Sequence, residues 1–116
     1  MVRLNAAGAL GTIGPEAKDA LPALREALKD RDSDVRAQAA TSIGQYGSEA
    51  EGAVADLITA LKDRTKAVRV AAAYALAEIG PEAKTALPAL QAAAKVGDGD
   101  FRTAIAYALE RIESKE

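Results

Sequence analysis

Apolar and polar positions along this chain follow one pattern, and the pattern returns every 33 residues. Between Asp32 and Gly47, the apolar residues Val35, Ala39, Ala40, Ile43 and Tyr46 recur at intervals of three and four. That spacing places side chains on one face of an α-helix. Between Gly47 and Asp63 a second stripe follows, made of Ala50, Ala53, Val54, Leu57 and Leu61. The two stripes predict a pair of helices joined at Gly47, where glycine takes up the left-handed backbone that stops a helix. Asp32 stands at the N-cap, with Ser33 and Asp34 in the first turn, so that carboxylates meet free N–H groups and the positive end of the helix dipole. Thr65 and Asp98 hold the same cap position in later units, and Gly14 and Gly80 the same stop.

The register is marked by Val2-Arg3, Val35-Arg36, Val68-Arg69 and Phe101-Arg102, with no insertion between them. Residues 2–34 match residues 68–100 at 21 of 33 positions, while 35–67 is more diverged but in step. A fixed period of this length means stacked copies of one small unit, not a globular domain folded around a cleft. The expected fold is all-α: a right-handed α-α superhelix, or α-solenoid, of three 33-residue helix pairs (2–34, 35–67, 68–100) plus a terminal helix from 101 to 116, forming a single domain over 1–116. An elongated curved rod without an enclosed pocket is expected. The first helix, starting at Met1, lacks the acidic cap of later units, and Glu113 replaces the stop glycine ahead of a polar tail. The tail reads as a capping surface. Leu4 and Leu10 present apolar flanks at the other end, which implies either a longer array or end-to-end self-association.

Units one and three carry Gly-Pro-Glu at Gly14 and Gly80, then Pro22 and Pro88 inside the second stripe. A proline there clashes with the carbonyl four residues back, which predicts a kink or a short first turn before the main helix. Unit two has Ser48 and Ala55 at those places, so a straighter second helix is expected.

Composition narrows the function. The chain has no cysteine, so disulfides and thiolate chemistry are out, and no histidine, the commonest general base and metal ligand. Its formal net charge of −2 disfavours a dedicated nucleic-acid or anionic-membrane binder. No apolar run reaches membrane length and no secretory leader opens the chain, so a cytoplasmic location is expected. Carboxylates are plentiful, but they fall at caps and helix ends. No catalytic, cofactor or metal site is expected.

The Val-Arg start, the Ala-Ala-x-Ala-Leu core at Ala6 to Leu10 and Ala72 to Leu76, and the Ile-Gly-Pro-Glu-Ala junction resemble HEAT repeats, specifically the short type named after phycocyanobilin lyase subunits. The resemblance spans essentially the whole chain. It implies an α-solenoid with first helices on the convex side and second helices on the concave side. That family includes scaffolds, bilin lyases and an iron hydroxylase. The hydroxylase depends on His-Glu pairs, which this chain lacks, so its activity does not carry over. A bilin lyase or isomerase subunit remains the alternative to a binding module.

Candidate binding residues follow from the columns of the repeat. Arg25, Ile58 and Gln91 share one column on the outer side of the second helices; Glu26, Thr59 and Ala92 share the next. These vary while neighbouring core columns barely change, which predicts a concave face for a protein or peptide partner, rimmed by Lys29, Lys62 and Lys95. The lysines also suit helix C-termini on electrostatic grounds alone. A nucleic-acid track would need uncompensated charge and interleaved aromatics, whereas Asp30 and Asp63 directly follow two of the lysines. The column Arg3, Arg36, Arg69 and Arg102 is expected to pair with aspartates of neighbouring units, such as Asp30 or Asp63, and with helix-end carbonyls. Tyr74 and Tyr107 should stack on adjacent first helices, forming a small convex patch.

Overall fold

A computed structural model describes residues 20–97 and 99–113 of the chain. Those residues form helices α1 (Leu21–Ala27), α2 (Ser33–Gly44), α3 (Val54–Ala60), α4 (Lys66–Ile79), α5 (Leu87–Val96) and α6 (Gly99–Glu113), with 3-10 segments at Gly47–Ala53 and Gly80–Ala86. No strand occurs among the described residues. The expected all-α solenoid is what the chain forms. Expectations that fall on Gly14, Leu4, Leu10, Asp98 and the tail from Ser114 lie outside the described residues.

Two layers result. In one, α4 packs between α2 and α6; in the other stand α1, α3 and α5, each packed against the first helix of its own or the next unit. The core is the seam between the layers. Both predicted stripes are buried throughout: Val35, Ala39, Ala40, Ile43 and Tyr46 from the first helix, and Ala50, Ala53, Val54, Leu57 and Leu61 from the second. Alanine dominates that seam because it lets helices approach closely. One close approach is at Gly44, where an added Cβ would lie 3.0 Å from the Ala75 Cα. Fully buried leucine and isoleucine side chains, such as Leu24, Leu57, Leu76 and Leu90, fill the remaining space. Each contributes about 1.5–3 kcal/mol by leaving water.

The ends of helices follow the sequence in part. Asp32 caps α2, its carboxylate accepting the Asp34 N–H at 2.9 Å. Gly47 and Gly80 take positive φ (60° and 78°) where the chain leaves a first helix. At α4 the cap is displaced. Thr65 is the N-cap residue, but its side chain caps nothing. Instead, Asp63 reaches forward and accepts the Thr65 N–H at 2.9 Å.

The second helix of unit two is not straighter than that of unit three. Both begin with a 3-10 segment containing one non-helical residue, Ala50 (φ −92°, ψ 19°) and Ala83 (φ −96°, ψ 23°). Those alanines are 33 positions apart, so the bend belongs to the repeat and not to proline. Burial at three-residue spacing, Ala50 with Ala53 and Ala83 with Ala86, is what a three-residue turn provides. Pro22 and Pro88 then sit in the first turn of α1 and α5, where a missing N–H costs nothing.

The described residues measure 36 × 30 × 18 Å, with a radius of gyration of 12.8 Å. Among the described residues no helix is long and apolar enough to cross a membrane.

Candidate functional site

The arginine column does structural work at the unit junctions. Arg36 grips Asp63 of the next unit with two hydrogen bonds, Nε to Oδ2 at 2.8 Å and Nη2 to Oδ1 at 3.1 Å. Its Nη1 donates to the Asp30 carbonyl at 2.8 Å. Burial alone would raise the Asp63 pKa. The Arg36 hydrogen bond, the Thr65 N–H and the charges of Arg36 and Arg64 outweigh it, and the carboxyl is held below its ordinary value. Arg69 repeats half of this arrangement: Nη1 donates to the Asp63 carbonyl at 2.8 Å, and the guanidinium lies 5.2 Å from the centroid of the Phe101 ring. Arg102 donates to the Ala94 carbonyl at 3.5 Å.

The predicted binding residues lie on the outer side of α1, α3 and α5 or just past their ends. Arg25, Glu26, Thr59, Gln91, Ala92, Lys29, Lys62 and Lys95 are exposed, and Ile58 is half-buried against the core. The residue before each member of the first column, Leu24, Leu57 and Leu90, is fully buried. Some of these side chains are already engaged. Arg25 pairs with Asp56 of the next unit at 2.7 Å, and the Thr59 hydroxyl donates to the Ala55 carbonyl at 3.3 Å. Arg25, Glu26 and Lys29 share a hollow of about 240 Å³ with Pro22 and Asp56. Lys62 and Ala92 share a different one of about 490 Å³ farther along the layer.

The opposite layer carries the tyrosines. Tyr74 and Tyr107 stack at 5.6 Å between centroids, tilted by 51°. Arg111 lies over Tyr107 at 5.8 Å and donates through Nε to the Ala77 carbonyl at 3.3 Å. Tyr74 also borders a broad trough of about 790 Å³ between α2 and α4, with Ala37, Thr41, Val70 and Ala71.

A family model for HEAT repeats matches residues 1–57 and again residues 50–110. The chain belongs to the HEAT-repeat family. A search of curated proteins finds no match. HEAT repeats commonly serve as protein-interaction and scaffold modules.

The columns of the repeat change together at one place that the outer-face columns miss. Asp30 and Asp63 are followed in their column by Val96; Val35 and Val68 by Phe101; Arg31 and Arg64 by Gly97. These changes are linked. Asp30 and Asp63 each accept the N–H two residues ahead, which turns the chain toward the next helix. Valine at 96 cannot do so. Helix α5 therefore runs on to Val96, whereas α3 ends at Ala60, three positions short of the equivalent point. Val96 is left 84% exposed. Gly97 stops the helix, its N–H donating to the Ala93 carbonyl at 2.8 Å. It also makes room for the larger Phe101, since an added Cβ at Gly97 would lie 3.0 Å from that ring.

Proposed function

We propose that this HEAT-repeat chain is a non-catalytic, cytoplasmic protein-binding or scaffolding module, and that its partner docks on a concave face formed by the second helices. The units run 2–34, 35–67 and 68–100, followed by a terminal helix from 101. Contacts come from Arg25, Glu26, Ile58, Thr59, Gln91 and Ala92, with Lys29, Lys62 and Lys95 as rim. The observation that carries this reading is the contrast between two adjacent columns. Leu24, Leu57 and Leu90 are identical and fully buried, while beside them Arg25 and Gln91 are exposed, Ile58 is half-buried at the edge of the core, and the three differ in chemistry. A rigid seam thus holds a variable outer surface in fixed register. Such a surface is ordered before the partner arrives, so little side-chain and backbone entropy remains to be lost on binding.

The test is joint substitution of Arg25, Ile58 and Gln91, with unfolding curves confirming that the variant folds. A partner captured by the parent protein should be lost from the triple variant. Equal binding by both proteins removes the concave-face assignment.

A further inference from the structure

We propose that the hollow where the turn between α3 and α4, the first turn of α4, α5 and the start of α6 meet is a carboxylate site for an acidic peptide segment, with Arg69 as its anchor. This rests on the reading of the chain as a protein-binding module and names the chemistry of one subsite.

The internal template lies one unit earlier. There, Arg36 holds the Asp63 carboxylate by a bidentate pair while also bonding the Asp30 carbonyl. Arg69 keeps the carbonyl bond, to Asp63, but has no carboxylate partner among the described residues. The position that supplied one, Asp63, is Val96 in the next unit, and α5 has run past the turn and carried that residue into solvent. What remains beside Arg69 is a hollow of about 490 Å³ with an apolar wall of Ala89, Ala92, Ala93 and Phe101. Lys62 and Arg64 stand at the same hollow. Asp63, the acidic residue among its lining groups, is already neutralised by Arg36.

Cations near helix C-termini are expected on dipole grounds alone. Three features here go beyond that. The guanidinium is half-buried and held in place by the Asp63 carbonyl and the Phe101 ring, so it is pre-oriented. Among the described residues lining the hollow, Lys62, Arg64 and Arg69 outnumber the single carboxylate, Asp63, which Arg36 already holds. The wall next to it is apolar and concave. A planar guanidinium with a free edge matches a carboxylate in a way a point charge does not. The fitting occupant is therefore an aspartate or glutamate carboxylate flanked by an aliphatic side chain, which covers the alanine wall. A chain with net charge −2 that concentrates Lys62, Arg64 and Arg69 at one spot attracts such a segment locally without binding polyanions in general.

The experiment is a titration of the ¹⁵N-labelled protein with two blocked tripeptides, acetyl-leucyl-aspartyl-valinamide and its asparaginyl counterpart, followed by the Arg Nε and backbone amide resonances. The aspartyl peptide should shift Arg69 Nε and the Gly97 and Phe101 amides at millimolar concentration. The asparaginyl peptide should bind roughly tenfold more weakly, because the charge-assisted pair is lost. Arg69→Lys, which keeps charge and fold but not the fork, should weaken the aspartyl peptide severalfold, and Arg64→Gln should weaken it less. Equal shifts from both peptides, shifts confined to other residues, no shift at all, or an Arg69→Lys variant that binds like the parent each overturn the site. A captured partner that is lost from the Arg25/Ile58/Gln91 variant but held fully by Arg69→Lys removes this site and leaves the concave-face reading standing. A partner held by the triple variant removes that reading, while the peptide titration decides the carboxylate site independently.

Discussion

Replacing Asp63 measures how much of the stack is held by its junctions. The residue does two jobs: it closes a bidentate pair with Arg36, and its Oδ1 accepts the Thr65 N–H that starts α4. Both side chains of the pair are 13% exposed, so solvent screens them little. Asp63→Asn keeps an acceptor for Thr65 and removes the charge. Given about 1.5–3 kcal/mol for a hydrogen bond to a charged group, and allowing for residual solvent, a loss of about 1.5 kcal/mol is expected. Asp63→Ala also removes the Thr65 bond, which adds about 1 kcal/mol on the scale of lost helix caps. By contrast, Asp56→Ala should cost under about 0.5 kcal/mol. It breaks a shorter pair, but Arg25 there is 46% exposed. Urea unfolding of the three variants at neutral pH provides the numbers. The pH dependence then checks the mechanism. Because the folded pKa of Asp63 is lowered, its stabilisation is fully present above the unfolded value of 3.8 and disappears as pH falls through the folded value. The gap between parent and Asp63→Asn should therefore be constant from pH 7 to about 5 and shrink below about 4. A gap under about 0.3 kcal/mol at neutral pH, or one as small as that of Asp56→Ala, would refute the view that burial and not distance sets the worth of these pairs.

Two further predictions concern packing and titration. Gly97→Ala should destabilise by about 1–2 kcal/mol, because its Cβ meets the Ala93 carbonyl oxygen and the Phe101 ring at 3.0 Å. Gly52→Ala, with nothing within 4 Å, should be neutral or stabilising by up to about 0.5 kcal/mol, and thermal unfolding distinguishes the two. Burial pushes the Tyr46 phenol above its ordinary 10.0. Its proton is therefore retained in the folded chain when the unfolded chain loses it, so stability falls as pH rises past about 10. Tyr46→Phe should flatten that fall in urea midpoints measured across alkaline pH; an unchanged slope would show that the phenol is not the group responsible.

Much of the fold was legible because one signal was repeated and each copy checked the others. Val35, Ile43, Leu57 and Leu61 could be placed in the core from spacing alone, since helical periodicity and burial are the same fact seen twice. The Arg36–Asp63 pair was legible too, because a charged residue locked to a core valine has to find its partner nearby, whereas Arg69 and Arg102 donate to backbone carbonyls. What spacing could not show was the backbone path after Gly47. A glycine-serine-glutamate start without proline reads as a straight helix, yet packing imposes the same bend at Ala50 as at Ala83. The Arg69 hollow needed a comparison across columns and not along the helix: Val96 and Gly97 look unremarkable until they are set against Asp63 and Arg64.

The most direct measurement is an amide chemical-shift map of the labelled protein on addition of a partner captured by affinity from its source. The account predicts shifts along α1, α3 and α5, centred on Arg25, Ile58 and Gln91 and extending to Arg69 in the first turn of α4, with α2 and the rest of α4 silent. Shifts centred instead on Tyr74, Tyr107 and the trough between α2 and α4 would contradict it.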